Sequence, residues 1–137
     1  IIQTASTYGL VGPDFRIYEG SEYMGCRITT PAAYAASKGA MVTMTLSLAR
    51  ALGPAMRINA VCPGFIEGDW LREGFGEEKY QKLMQFNRDN APLKRTATPE
   101  TVADAILHFV IGSQVVTGET LIVDGGRHLA MAPLTRR

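Results

Sequence analysis

Residues 31–39 read Pro31-Ala32-Ala33-Tyr34-Ala35-Ala36-Ser37-Lys38-Gly39, and they open a run rich in Ala, Met, Val, Thr and Leu that lasts to Gly53. The run predicts one long helix over 31–52, with Pro31 in the first turn, where its fixed φ fits and its missing N–H would be unpaired anyway. Apolar residues nearly all the way round make this a helix buried on more than one side. Tyr34 and Lys38 stand four apart and so share a face of it. An ammonium beside a phenol favours the phenolate, which makes Tyr34 a candidate general acid/base with Lys38 as its partner. Alone, the pair is a weak motif, since a solvated helix face would carry it equally well.

Its surroundings sharpen it. Upstream, Ile1-Ile2-Gln3-Thr4-Ala5-Ser6 reads as a short β-branched, buried parallel strand with Ser6 at its carboxyl end. Ligands of open α/β sheets collect at that end, although a serine there is also a common turn residue. Downstream, Arg57-Ile58-Asn59-Ala60-Val61-Cys62 reads as a second buried strand, broken by Pro63-Gly64. Glycine there lets the backbone approach a ligand closely. Thr98-Pro99-Glu100-Thr101 is a helix start, with Thr98 as N-cap and Pro99 at N1, and the helix runs to Gly112. Thr120-Leu121-Ile122-Val123 is a last strand, ended by Asp124-Gly125-Gly126. Strands and helices in the order β-α-β-α-α-β predict an α/β parallel sheet.

Together the segments Ile1–Ser6, Tyr34-Ala35-Ala36-Ser37-Lys38-Gly39-Ala40, Arg57–Gly64 and Thr117-Gly118-Glu119-Thr120-Leu121-Ile122-Val123-Asp124-Gly125-Gly126 closely resemble, in the same order, the short-chain dehydrogenase/reductase family of classical type. The resemblance covers nearly all of the chain but only the C-terminal half of that family's Rossmann-like, doubly wound parallel sheet. It implies that Ser6, Tyr34 and Lys38 are catalytic: Ser6 orients the substrate oxygen, Tyr34 moves the proton, and Lys38 tunes Tyr34 and holds the nicotinamide ribose. It implies that Pro63, Gly64 and Ile66 line the nicotinamide of NAD or NADP, with the Ile66 N–H on its carboxamide. Relatives often carry Thr where Gly68 stands. It also implies a homo-oligomer built through helix 31–52, with Met41, Met44, Thr45 and Leu48 on the side facing a second subunit.

Between Ser6 and Tyr34 the chain departs from the family. Gly12 to Arg27 forms an insertion of Gly, Pro and charged residues that reads as a long loop over the mouth of the site. Arg16, Tyr18, Glu22 and Tyr23 are candidates for contact with a polar substrate, or equally for packing an interface. Some family members with a similar insertion act on sugars, so the resemblance points to an alcohol or carbonyl substrate with a carbohydrate link. Residues 68–92 carry Trp70, Leu71, Tyr80, Leu83, Met84 and Phe86 among charges and predict an amphipathic helix over 77–90 behind flexible Gly74 and Gly76. In the family this region is the substrate lid, and Trp70 joins Ser6, Tyr18 and Tyr23 as a candidate substrate contact.

Bulk composition is that of a globular chain: 46% hydrophobic and 20% charged among 137 residues. A net charge of +1 gives no electrostatic case for nucleic acid or a membrane surface. No apolar run reaches membrane-spanning length, and Arg136-Arg137 reads as a frayed tail. Cys26 and Cys62 lack metal-ligand spacing, and neither His108 nor His128 is placed to bind a metal, so no metal site is expected. A reduced, cytoplasmic setting is the expectation.

A complete dinucleotide site needs a strand and a Gly-rich turn that opens a helix beneath the pyrophosphate. Gly9-x-x-Gly12 is too short for that role, and Gly125-Gly126 is read as followed by no helix. The chain therefore reads as a single partial domain over 1–137, a piece of a longer protein. Two functions are expected of it. One is an NAD(P)-dependent oxidoreductase interconverting an alcohol and a carbonyl; the other is a truncated, non-catalytic module that associates through helix 31–52. The apolar edge of Ile1–Thr4 is expected to be covered, by other residues of the protein, by the insertion or by a neighbouring chain.

Overall fold

The computed structural model of the protein describes residues 1–23, 25–27 and 29–131, without the side chains of Tyr23 and Met131. The expected tail at Arg136-Arg137 lies outside the described residues. In chain order the elements are β1 (Ile2–Thr4), β2 (Glu22–Tyr23), β3 (Cys26–Arg27), α1 (Ala32–Leu52), β4 (Asn59–Pro63), α2 (Asp69–Phe75), α3 (Glu77–Asn90), α4 (Pro99–Ile111), β5 (Thr120–Val123) and α5 (Arg127–Met131). Short 3-10 turns sit at Thr7–Gly9 and Phe15–Tyr18.

The main sheet is parallel with strand order β1-β4-β5. Thr4 pairs with Val61, which pairs in turn with Leu121 on the far side. β4 is the middle strand and is buried at all five positions, as expected of a mostly apolar run. Its one polar side chain is paired: Asn59 donates to the Val116 carbonyl at 3.2 Å and accepts from the Glu119 N–H at 3.0 Å. A buried amide left unpaired would cost about 1–3 kcal/mol, so this exchange fixes the approach to β5. Arg57, just before β4, donates to the carbonyl of Phe109 at 2.8 Å and to that of Val116 at 3.1 Å, tying the C-terminal end of α4 to the sheet.

Helix α4 covers one face of the sheet, where Val102, Ala105 and Phe109 pack with Val61, Leu121 and Val123. It starts as its sequence dictates: the Thr98 hydroxyl accepts from the Thr101 N–H, and the Thr101 hydroxyl accepts from the Thr98 N–H. Helix α1 lies against β4 and the turn after β1. Pro31 stands one position ahead of the helical turn expected for it, at the N-cap, with extended backbone. Thr45 is buried within the chain, its hydroxyl donating to the Met41 carbonyl, so it does not belong to the outward face expected to meet a second subunit. Met44, Leu46 and Leu52 are exposed.

Three local expectations are corrected. The insertion is not structureless, since it holds the second 3-10 turn and the antiparallel β2–β3 pair. The segment behind Gly68 is a helix, α2, held by burial of Leu71 with Tyr80 and Met84; packing outweighs the helix-breaking cost of Gly74. A helix also follows Gly125-Gly126: the Asp124 carboxylate accepts from the Gly126 and His128 N–H groups and from the His128 ring, which caps the five residues of α5. β1 has β4 on one side and, among the described residues, no strand on the other.

Gly9 marks where the turn after β1 is pressed onto α1. A Cβ there would lie 2.6 Å from the Lys38 carbonyl carbon and 2.7 Å from the Gly39 nitrogen, both backbone atoms that cannot step aside. Gly9→Ala is expected to cost about 1–3 kcal/mol, the usual penalty of overpacking, read as a lowered Tm. Gly12→Ala meets nothing within 4 Å and is expected to leave Tm nearly unchanged. Equal Tm values for the two variants would contradict this packing.

Candidate active site

The carboxyl ends of the parallel strands open onto a cleft of about 580 Å³. β1 delivers Ser6 to it, α1 delivers Tyr34 and Lys38, and the segment after β4 delivers Pro63, Gly64 and Ile66. Tyr18 reaches it from the insertion and Trp70 from α2. Ser6, Tyr18, Tyr34, Lys38, Pro63, Gly64, Ile66 and Trp70 thus border one cleft, whereas Arg16 and Glu22 do not; the side chain of Tyr23 lies outside the described residues. A second hollow of about 750 Å³ lies between the insertion and α3 and is bordered by Arg16, Lys79, Lys82 and Phe86. Of the candidate residues it takes in Arg16 and none of those assigned to catalysis or the cofactor, so the smaller cleft is where the chemistry is sought.

Lys38 is the hinge of the arrangement. Its Nζ donates to the Thr4 carbonyl at the end of β1, at 2.9 Å, and lies 5.7 Å from the centre of the Tyr34 ring. One side chain therefore joins helix to strand and keeps its charge beside the phenol. Ser6 is 8% exposed, and its Oγ accepts from the Tyr8 N–H at 3.2 Å, which starts the first 3-10 turn. That is the turn role a strand-end serine ordinarily has, and it leaves the hydroxyl proton available to the cleft. Tyr34 is 39% exposed and Trp70 74%. Burial pushes the Cys62 thiol up, against the opposing pull of Ser6 and Lys38 nearby, and keeps it protonated beneath the site.

The stretch after β4 has two backbone N–H groups without a partner among the described residues, those of Phe65 and Ile66. The N–H groups of Gly64 and Glu67 on either side of them bond the carbonyls of Val123 and Ala97. Gly64 has a structural reason to lack a side chain, since a Cβ would lie 2.5 Å from the Cβ of Asp124.

Several residues that border the cleft were not singled out in the sequence: Tyr8, Asp14, Phe65 and Arg127. Tyr8 stands two residues past Ser6, and that spacing was the available signal. Burial, with the neighbouring Tyr18 hydroxyl, pushes the Tyr8 phenol well above its ordinary range. It stays protonated and is unsuited to act as a base. Tyr18 in turn shares a hydrogen bond with the Thr30 hydroxyl. Nothing in the sequence marks Asp14 and Arg127 as neighbours; only the fold brings residues this far apart together.

The family model described as Enoyl-(Acyl carrier protein) reductase matches residues 20–128. The 2-(S)-hydroxypropyl-CoM dehydrogenase 3 of Xanthobacter autotrophicus is 33% identical over 130 residues, covering 92% of this chain and 45% of that protein. The aldohexose dehydrogenase of Thermoplasma acidophilum, solved in ligand-free form, superposes with a TM-score of 0.73 at 26% identity, covering 100% of this chain and 50% of that one. A short-chain dehydrogenase from Leptospira borgpetersenii with bound NAD+ superposes with a TM-score of 0.73 at 27% identity, covering 93% of this chain and 44% of that one. The chain belongs to the short-chain dehydrogenase/reductase family. It spans half or less of the length of each of these proteins.

Asp14 holds the insertion against the rest of the chain. Its carboxylate accepts from Arg16 at 2.7 Å and from the buried Arg127 at 3.0 Å. The hydrogen-bonded Arg16 guanidinium, with Arg127 beside it, holds the carboxyl below its ordinary value of 3.8. A carboxyl depressed on folding contributes stability that is complete above its unfolded value and is lost as pH falls through the folded one. The insertion is therefore expected to resist limited proteolysis at neutral pH and to become cleavable below about pH 4. Asp14→Asn is expected to be cleaved there already at neutral pH. Equal resistance of variant and wild type at neutral pH would contradict the latch.

Proposed function

We propose that the protein carrying this chain is an NAD(P)-dependent oxidoreductase that interconverts an alcohol and a carbonyl. The observation that carries the reading is that Ser6, Tyr34 and Lys38 border one cleft, with the Lys38 ammonium anchored on the end of β1 and set beside the Tyr34 ring. Membership of the family supports it, as does a structural relative holding NAD+.

The residues present fit the nicotinamide end of such a cofactor. Beyond its bond to Thr4 and a weak contact to Met41 Sδ, Lys38 keeps an N–H donor for the ribose, Ile66 offers its unpaired N–H, and Pro63 and Gly64 form the wall beside it. When bound, the nicotinamide supplies or accepts the hydride. The chain's own residues handle the oxygen and its proton. Ser6 donates a hydrogen bond from Oγ to the substrate oxygen and fixes its position. Tyr34 gives its Oη proton to that oxygen in reduction and takes it back in oxidation. Lys38 stabilises the charge that develops on Tyr34 Oη; with water excluded, a fixed ammonium is worth more than in solution. Tyr18 and Trp70 are assigned to the substrate side, and a polyol or sugar-like alcohol is the proposed substrate class. The relative named as an aldohexose dehydrogenase supports that class.

The single partial domain over 1–137 is proposed as the rear half of the enzyme's fold. A homo-oligomer through residues 31–52 is proposed as well, on the exposed Met44, Leu46 and Leu52 of α1; an isolated chain that does no chemistry would keep that role. Tyr34→Phe, made in the protein carrying this chain, is expected to lower kcat by about 10²-fold or more, the usual worth of a positioned acid/base. Dinucleotide binding should change little. Turnover retained in the variant would overturn the assignment of Tyr34.

A further inference from the structure

Among the described residues at the cleft, Arg127 is the side chain with a fully buried polar atom left without a partner. It is 9% exposed at the side chain. A guanidinium has five N–H donors, yet among the described residues a single side-chain bond is made, from Nη2 to Asp14 Oδ2 at 3.0 Å. Nε is buried without a partner. The guanidinium lies 5.3 Å from the centre of the Phe86 ring, and that of Arg16 lies 5.6 Å from it. Two guanidinium groups thus share one ring and one carboxylate: Arg16 lies out in solvent, while Arg127 is buried with part of its fork unused. Other charges at the cleft are already engaged. Asp124 accepts from three donors of its own loop and helix, Glu67 is paired with Arg88, and Lys38 bonds Thr4.

A buried guanidinium with open donors matches a single planar anion, because its fork pairs with a carboxylate through two parallel hydrogen bonds. We propose that Arg127 is a carboxylate receptor within the cleft, so that the substrate is a hydroxy acid or the corresponding oxo acid, here including sugar acids. This rests on the oxidoreductase reading for the chemistry at the other end of the substrate, while the anion site itself stands on Arg127 alone. Asp14 occupies part of the fork in the free protein. A substrate carboxylate takes up the donors that Asp14 leaves open.

The test is calorimetric binding, in the protein carrying this chain, of β-, γ- and δ-hydroxy acids and of their methyl esters, with saturating NAD+. The best acid is expected to bind about tenfold or more tighter than its ester, the worth of one charged hydrogen-bonded group. Arg127→Met is expected to erase that preference by weakening the acid and not the ester. Asp14→Asn, which frees the fork, is expected to tighten the acid and so widen the ratio. Equal affinities for acid and ester in the wild type, or a preference that survives Arg127→Met, would overturn the proposal. If Arg127→Met does not fold, Asp14→Asn decides: a widened ratio supports the receptor, and an unchanged or narrowed one rejects it. Because the readout is binding, an acid preference that depends on Arg127 in a protein that turns over none of these alcohols sustains the receptor and removes the oxidoreductase reading instead.

Discussion

The hydrogen bond from Lys38 Nζ to the Thr4 carbonyl, 2.9 Å long, is the constraint on which the site depends. It joins the second turn of α1 to the last residue of β1. Ser6 follows Thr4 by two residues and Tyr34 precedes Lys38 by one helical turn, so a single contact fixes all three. Bare backbone at Gly9, pressed on the Lys38–Gly39 peptide, brings the two elements close enough for the bond to form. The remaining walls follow from β4, whose register with β1 and β5 sets the segment Pro63–Ile66 at the same end of the sheet.

The cleft is closed on its other side by electrostatics. Asp14 pins the insertion to Arg127, while Lys79 of α3 donates to the Glu19 carbonyl and to the Ser21 hydroxyl. These attachments explain why a segment rich in Gly and charge takes a defined course over the site. Asp14 and the proposed substrate carboxylate use different donors of Arg127, so loop position and ligand binding act on one guanidinium.

How much of this was legible in the sequence depended on how local the cause was. The limits of α3 and α4 follow from signals within a few residues: Thr98 and Thr101 cap α4 reciprocally, and the apolar spacing of Tyr80, Leu83 and Met84 orients α3. The buried strand β4 shows in its apolar run Ala60–Pro63. Tyr34, Lys38 and Ser6 were marked by pattern and strand-end position. By contrast, α2 depends on burial of Leu71 against a later helix, and α5 on Asp124 folding back over its own chain. Arg127 is not marked in the sequence because its neighbour Asp14 is far away along the chain, and its incomplete bonding appears only once both are placed.

The measurement that tests the central claim most directly is Lys38→Met in the protein carrying this chain, with turnover, nicotinamide dinucleotide affinity and Tm read on the same sample. The account predicts turnover lowered by about 10²-fold or more and weakened dinucleotide binding, with a Tm shift no larger than one exposed hydrogen bond explains, about 1 kcal/mol. Wild-type turnover and affinity in a folded Lys38→Met variant would contradict it.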